Sequence, residues 1–118
     1  EIARALPAAG VLVNVTNDAW FSGTTAAPQH LEIARMRALE AGRPMLRAAN
    51  TGISAIIGAE GRVRERTDQF TVATIESTVQ PRDGLTPYMR LRDRPLWLAA
   101  FVLVAAGLAL TAIRRRGR

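Results

Sequence analysis

The order of apolar and polar positions predicts that a buried strand lies near the start of the chain. Residues 11–16 read VLVNVT, a run of mostly apolar and β-branched side chains. A run of this length, bounded by a glycine and by a polar turn pair, is typical of a strand. The next seven residues, 17–23, read NDAWFSG and are predicted to form a loop. This loop places two large aromatic residues beside an amide and a carboxylate.

A helix is predicted over residues 30–42, with Pro28 before it and Gly42 as its C-terminal stop. One face of this helix carries mainly small apolar residues, which favour close packing against a flat surface such as a sheet. Its members are Leu31, Ala34, Ala38 and Ala41. Charged residues spaced (i, i+3) predict ion pairs on the same helix. They are Glu32, Arg35, Arg37 and Glu40.

Four further strands are predicted after the helix, at residues 44–50, 53–58, 62–67 and 70–79. The second and third of these are expected to pair as a hairpin across an Ala-Glu-Gly turn. The whole is an α/β fold in which a helix covers a sheet. Because roughly 80 residues give such a layer a thin core, we expect the chain to be a fragment whose missing strands lie elsewhere.

The end of the chain has a different composition. Residues 81–94 form a linker rich in Pro, Gly and Arg, and the 19 residues 95–113 contain no charge. At about 1.5 Å per residue they approach the ~30 Å hydrocarbon core of a bilayer, which predicts a transmembrane helix. Trp97 lies near its start, where interfacial aromatics are common. Residues 114–118, RRRGR, follow as a basic tail.

The net charge of +6 does not indicate a nucleic-acid partner. Four of the sixteen arginines lie in the last five positions, and residues 1–94 hold twelve Arg against ten acidic residues. A nucleic-acid-binding domain usually concentrates its basic residues on a folded face. Equal numbers of arginines flank the apolar segment, so their count leaves its orientation open.

Few residues in this chain can perform covalent chemistry. It has no cysteine and no lysine, which excludes disulfides, thiolate metal sites and catalysis by either residue type within these positions. His30 is the single histidine and is either a catalytic base or, as is commoner for a lone histidine, a structural anchor. Ser54, in GISAI, does not match a nucleophile elbow. No metal or cofactor is predicted.

The NDAWFSG loop is the candidate binding site. It follows the carboxyl end of a predicted strand, which is the edge where open α/β sheets bind ligands. Asn17 and Asp18 can hydrogen-bond to nearby backbone and set the turn. Trp20 and Phe21 offer a large apolar surface with one indole donor. Exposed, these aromatics would line an acyl or membrane-facing site; buried, they would anchor the loop.

Three longer stretches resemble one protein family. They are VNVTNDAWFSG, PQHLEIARMRALEAGRPMLRAANTGISAIIGAEGRV and LTPYMRLRDRPLW. Their order and spacing resemble the carboxyl-terminal part of bacterial apolipoprotein N-acyltransferases, inner-membrane enzymes with a nitrilase-like (carbon–nitrogen hydrolase) domain. The resemblance implies that residues 1–80 belong to a four-layer αββα sandwich. It also implies a substrate pocket that includes Asn17, Asp18, Trp20, Phe21 and His30.

The family's reaction uses a Glu-Lys-Cys triad. The resemblance implies that the Cys attacks an acyl ester of a phospholipid and forms a thioester, which the α-amino group of a diacylglyceryl-cysteine lipoprotein then takes up. The Glu would transfer protons and the Lys would stabilise the oxyanion. None of the three lies in this chain, and the nucleophile is expected shortly upstream of Glu1. The implied topology has the sandwich in the periplasm and residues 114–118 in the cytoplasm.

Two other functions compete with this one. A nitrilase-type amidase with a single membrane anchor would have a soluble region upstream and one span. A non-catalytic membrane-tethered module would have no upstream cysteine. In all three cases the lipid bilayer is an expected partner, whereas a phospholipid donor and a lipoprotein acceptor belong to the acyltransferase alone.

Overall fold

The computed structural model describes residue 6 and residues 8–21 and 24–116, excluding the side chains of Phe21 and of residues 109–116. Its strands are β1 (Leu12–Asn17), β2 (Met45–Asn50), β3 (Ala55–Ile57) and β4 (Val63–Arg66). Its helices are α1 (Ala26–Ala41), α2 (Pro87–Leu91) and α3 (Arg94–Arg116), and a 3-10 turn, Ala19–Phe21, follows β1. This order confirms the predicted α/β fold.

The four strands form one sheet in the order β1-β2-β3-β4. Strands β1 and β2 are parallel, and α1 is the crossover connection that such a pair requires. Strand β3 is antiparallel to both β2 and β4, which confirms the predicted hairpin. The register of that hairpin shifts between Ile56 and Ile57. The sheet is therefore mixed, with the carboxyl ends of β1 and β2 at the same edge.

Helix α1 packs on the sheet through the predicted face. Leu31, Ala34, Ala38 and Ala41 are all buried, and the core continues into the sheet. There it includes Met45, Ala55 and Ile57. Alanine at three of the four helix positions lets the helix backbone approach the strands closely, so Ala38 and Ile57 are completely buried. The predicted ion pairs, Arg35–Glu32 and Arg37–Glu40, form on the exposed side.

The predicted C-terminal end of α1 is correct, whereas its predicted start is four residues too late. The helix starts at Ala26, earlier than the predicted His30. Pro28 lies in the first turn, where a proline is tolerated because the N–H groups of that turn have no partner within the helix. The C-terminal stop at Gly42 is confirmed: its φ of 63° is left-handed, and its N–H bonds to the carbonyl of Leu39 at 3.1 Å.

The predicted strand over residues 70–79 is wrong. Residues 71–80 have no regular secondary structure, and Val72 is fully exposed. The segment is hydrogen-bonded near its two ends, through Phe70 N–H to Thr51 O at 3.2 Å and Arg82 N–H to Gly10 O at 3.0 Å. Alternating polarity makes a segment suitable for a sheet, but a strand also needs a neighbouring strand to pair with.

The predicted linker is also more ordered than its composition suggested, because α2 lies within it. Thr86 is the N-cap of α2 and accepts a hydrogen bond from Met89 N–H, and Pro87 is the first helical residue. This arrangement is a common start signal for a helix.

Helix α3 covers the segment that was predicted to cross a membrane. Every side chain described in it, from Arg94 to Leu108, is exposed. Among the residues that the structure describes, no helix has both the length and the apolar character needed to cross a bilayer. The predicted basic tail, 114–118, lies outside the described side chains.

The sheet face opposite α1 is apolar and open along β1. Val13 is 70% exposed and Val15 is 79% exposed. On the neighbouring β2 the residues of the same face are Leu46, which is half-buried, and Ala48, which is exposed. Apolar residues paired across two parallel strands are typical of a sheet covered on both faces.

We expect Ile57→Ala to lower the free energy of unfolding by about 2–5 kcal/mol, because it opens a cavity between α1 and β3. The matched control is Ile33→Ala, since that side chain on α1 is 56% exposed. Chemical denaturation of the complete protein in detergent measures both. Equal losses in the two variants would contradict the packing described above.

Candidate functional site

The candidate site lies where the carboxyl ends of β1 and β2 meet. Asp18 directly follows β1, and a turn at Thr51 and Gly52 directly follows β2, which ends at Asn50. The N–H of Asp18 bonds to the carbonyl of Asn50 at 3.3 Å, which holds the two strand ends together. This is the sheet edge at which the sequence predicted a binding loop.

The Asp18 carboxylate is buried and accepts three hydrogen bonds, all from side chains, whereas the sequence predicted bonds to nearby backbone. Its side chain is 1% exposed. One oxygen accepts from Arg47 Nη2 at 2.9 Å. The other accepts from His30 Nδ1 at 2.9 Å and from the Thr16 hydroxyl at 3.2 Å. A carboxylate buried among these donors is held in one position.

The pKa of Asp18 reflects a competition between burial and these donors. Burial by itself raises the pKa of the carboxyl group. The hydrogen bond from His30 and the positive charge of Arg47 outweigh burial, with a further contribution from Thr16. The resulting pKa lies below the ordinary value of 3.8, so Asp18 is ionised at neutral pH.

Arg47 is the central residue that sequence reasoning missed. Its side chain is 3% exposed, and its guanidinium uses all three nitrogens. Besides the bond to Asp18, Nε donates to Ile53 O at 3.2 Å and Nη1 donates to Asn14 Oδ1 at 2.6 Å. The available signal was the two-residue period of a strand: Arg47 lies two residues after Met45 and therefore on the same inward face of β2. An inward arginine requires a buried partner.

Gly52 is required because the Asp18 carboxylate lies against it. A Cβ atom at residue 52 would overlap Oδ2 of Asp18 and would lie 3.0 Å from the Ala49 Cβ. Thr51, just before it, has a φ of 58°, which a β-branched residue rarely adopts. The tight turn after β2 is therefore shaped around the ion pair.

In the described part of the aromatic loop, residues 17–21, the start is hydrogen-bonded and Trp20 is exposed. Asn17 Oδ1 accepts from Ala19 N–H at 3.1 Å, which closes the turn between the strand and the 3-10 turn. Trp20, one residue further, is 87% exposed. The backbone of Phe21 ends the 3-10 turn, and its side chain lies outside the described set. The indole is thus presented outward from a base that the Asp18–Arg47 ion pair holds in place.

A cleft of about 330 Å³ opens between α1 and β1, next to this ion pair. Its polar lining includes Asn14, Thr16, His30 and Arg47, and its apolar lining includes Leu12, Ile33 and Met45. His30 thus both holds Asp18 and lines the cleft. Within the described part of the chain, no three acidic or histidine residues are grouped closely enough to hold a metal ion.

The structure brings together Asn17, Asp18, Trp20 and His30, all of which the sequence had singled out. Asp18 and His30 hold each other, while Asn17 shapes the turn. Ser54 is not part of this group: it lies between β2 and β3, where its Oγ accepts a hydrogen bond from Ala49 N–H at 3.1 Å. The described site presents an exposed aromatic side chain next to a buried ion pair, and it contains no cysteine or lysine. It therefore offers an apolar surface to a ligand.

The chain is similar in sequence to one family model and to several curated enzymes that share one name. The family model for carbon-nitrogen hydrolases matches residues 1–84. Apolipoprotein N-acyltransferase of Nitrosomonas europaea is 50% identical over 117 residues, which are 98% of this chain and 24% of that protein. The enzymes of the same name from Ralstonia nicotianae and Azotobacter vinelandii are 53% and 45% identical, over 92% and 98% of this chain. The chain spans 20–24% of the length of these curated relatives.

We expect Asp18→Asn to lower the free energy of unfolding by about 3–5 kcal/mol at pH 7, because Arg47 would stay buried without its counter-charge. The exposed Asp68→Asn is the matched control. Because folding lowers the pKa of Asp18, its contribution is complete above the ordinary value of 3.8 and is lost as the pH falls through the lower folded-state pKa.

Urea denaturation of the complete protein at pH 7, 5 and 3 measures this contribution. The gap between the original protein and Asp18→Asn should be similar at the first two values and smaller at the third. A gap that widens with acid would show that the carboxylate is not stabilised in the folded state.

Proposed function

Because this chain belongs to the carbon-nitrogen hydrolase family, we propose that it is the carboxyl-terminal part of an apolipoprotein N-acyltransferase. The extent of the similarity supports this choice within the family. The family model ends at residue 84, whereas the identity to the Nitrosomonas europaea enzyme extends over 117 residues. The similarity therefore reaches beyond the hydrolase domain into α2 and α3.

The observation that carries the proposal is the outward position of Trp20 on a fixed loop. An indole that is 87% exposed at the carboxyl edge of a sheet offers a large apolar surface to a ligand. The buried ion pair between Asp18 and Arg47 lies at the base of this loop, so the backbone that carries Trp20 starts from a defined position. We propose that Trp20 and Phe21 form one wall of the pocket for a fatty acyl chain.

The chemistry itself would come from residues outside this chain. In the proposed reaction a cysteine thiolate attacks the acyl ester of a phospholipid, forming a thioester and releasing the lysophospholipid. The amino group of a diacylglyceryl-cysteine lipoprotein then attacks the thioester, which forms an amide and releases the thiolate. Asp18, Arg47 and His30 would keep the pocket wall in place throughout.

The proposed domain is a four-layer αββα sandwich, of which this chain supplies part of one sheet and part of one helix layer. Val13 and Val15 on β1 support this arrangement, because they expose an apolar sheet face that has no partner among the described residues. A second sheet packed against that face would bury it. The open edge of β1 would likewise pair with a strand from the preceding sequence.

We also propose that α3 crosses the inner membrane, with the sandwich in the periplasm and residues 114–118 in the cytoplasm. A helix that is apolar on all sides needs an apolar surrounding. Leu96, Trp97, Phe101 and Leu103 point in several directions, and each is more than 70% exposed. The uncharged stretch over 95–113 and the arginines after it are consistent with a membrane span. The bilayer would also hold the acyl donor.

Replacing Trp20 by Ala in the complete protein tests the pocket. We expect kcat/KM for long-chain phospholipid donors to fall about 10–100-fold, since loss of the contact removes ~1.5–3 kcal/mol of apolar stabilisation. Trp20→Phe should retain most of the activity because it keeps an aromatic surface.

The matched control is Phe101→Ala, which removes another exposed aromatic, on α3. It should leave the transfer rate within about twofold of the original. Unchanged acyl transfer in Trp20→Ala, at normal expression, would remove the pocket assignment. A complete protein that acylates no lipoprotein would remove the proposed function itself.

Topology can be measured with single cysteines placed at Thr78 and at Arg118 in a variant that lacks other accessible cysteines. We expect a membrane-impermeant maleimide to label position 78 in cells whose outer membrane has been permeabilised. Position 118 should react only after the inner membrane is broken. Labelling of both positions before lysis would contradict a membrane-spanning α3.

A further inference from the structure

A second buried arginine, Arg43, binds backbone carbonyls and no side chain among the described residues. It lies just beyond the C-terminal end of α1 and is 1% exposed. Its Nε donates to Ala9 O at 2.7 Å, and its Nη2 donates to Gly84 O at 2.8 Å. Its Nη1 makes longer bonds to Asp83 O and Gly42 O, at 3.3 and 3.4 Å. The guanidinium thus joins the segment before β1 to the segment before α2.

The environment of Arg43 makes these carbonyls indispensable. No carboxylate in the described residues lies within salt-bridge distance of it, in contrast to Arg47. A buried charge without a counter-ion is tolerated only when its donors are satisfied by hydrogen bonds. Asp83 and Gly84 supply two of its acceptors. If their segment left the domain, Arg43 would lose these acceptors and water would have to replace them, so the burial of Arg43 and the docking of that segment depend on each other.

Thr86 makes a second connection at the same place. Its hydroxyl donates to the carbonyl of Glu40 in the last turn of α1 and accepts from Met89 N–H at 3.1 Å. One side chain therefore satisfies a group at the end of α1 and another at the start of α2. Gly42 allows this approach, because a Cβ there would lie 2.7 Å from Cγ2 of Thr86.

Little free chain separates this connection from α3. Helix α2 begins directly after Thr86 and ends at a tight turn, in which Arg92 has a φ of 50° and donates from its N–H to Tyr88 O at 2.6 Å. Helix α3 then starts at Arg94, and Asp93 O accepts from Trp97 N–H at 3.0 Å. Helices and tight turns transmit position better than a flexible linker does.

The contacts that Arg43 and Thr86 make with residues near the end of α1 lie at the opposite end of that helix from the Trp20 loop. His30, in the first turns of α1, bonds to Asp18 beneath the loop, whereas Glu40 in the last turn bonds to Thr86. The 16 residues of α1 span about 24 Å. Helix α1 therefore sets the distance between the candidate pocket wall and the segment that leads to α3.

We propose that Arg43 is a positioning residue. Together with Thr86 it would lock residues 82–86 against α1 as a rigid joint, and this joint would set the height of the Trp20 pocket above the bilayer that holds the acyl donor. The inference rests on the proposed acyl transfer and on α3 lying in the membrane. It gives residues 42–44 (Gly-Arg-Pro) and 85–87 (Leu-Thr-Pro) a common role in forming this joint. Neither the pocket nor the membrane span requires that role.

The test compares Arg43→Met with the original complete protein in phospholipid nanodiscs. Methionine keeps much of the length of the side chain but donates no hydrogen bonds. Hydrogen exchange in residues 82–92 should become at least about tenfold faster, while exchange in β1 stays unchanged. The matched control is Arg62→Met, at an exposed arginine, which should change neither region.

Activity is measured with two acyl donors, a phospholipid in the nanodisc and a water-soluble short-chain p-nitrophenyl ester. If the joint sets the height of the pocket, Arg43→Met should lose about 10–100-fold with the membrane donor and stay within about twofold with the soluble ester. An equal loss with both donors, or unchanged exchange in residues 82–92, would overturn the proposal.

A second variant keeps the proposal testable if Arg43→Met fails to fold. A Gly-Ser-Gly insertion between Arg92 and Asp93 leaves the Arg43 and Thr86 contacts intact but makes the connection to α3 flexible. It should show the same selective loss with the membrane donor, with unchanged exchange at residues 82–86. Full activity with the membrane donor would overturn the proposal. Absence of transfer in the original protein with either donor would instead refute the proposed function, and the exchange result would still decide whether the joint exists.

Discussion

The ion pair between Asp18 and Arg47 is the interaction on which the rest of the site depends. It joins the end of β1 to the middle of β2, and its members also bind His30 on α1 and Ile53 before β3. Four segments of the chain therefore meet at one buried pair. Because a buried charge that loses its partner is strongly destabilising, these segments have little freedom to move separately. The Trp20 loop takes its position from this constraint.

Two buried arginines act at the two ends of α1 in different ways. Arg47 binds a carboxylate, so its charge is neutralised within the site and its geometry is set by a side chain. Arg43 binds carbonyls, so its charge is balanced by the backbone of segments that are distant in sequence. The planar guanidinium, with its several donors, suits both tasks, and an ammonium group would not reach the same set of acceptors. One arginine fixes a loop, and the other fixes the path of the chain toward α3.

The apolar surfaces of the chain are distributed in a way that matches its proposed place in a larger enzyme. The α1 face of the sheet is filled within the chain, by Ala34, Ala38 and Ile57 among others. The opposite face exposes Val13 and Val15, and α3 exposes apolar residues on all its sides. Contiguous exposed apolar surfaces on a folded domain usually mark contacts with another layer, a partner or a membrane. In the proposed enzyme a second sheet would cover the Val13 and Val15 face, and the bilayer would surround α3.

The sequence by itself determined the elements whose signals are local. The packing face of α1 follows from its 3.6-residue period, its end from Gly42, and the β3–β4 hairpin from a turn between an apolar run and an alternating one. The sequence also singled out the NDAWF loop, through its unusual juxtaposition of residues. It could not exclude a strand over 70–79, because polarity alternation says nothing about whether a partner strand is present. The alternation along β2 could place Arg47 on the inward face but could not identify its partners, and nothing local marked Arg43, since an arginine after a helix is ordinarily solvated. Only the tertiary structure decided those roles, because the counter-ion of Arg47 and three of the four carbonyls that bind Arg43 lie 29 to 41 residues away in the chain.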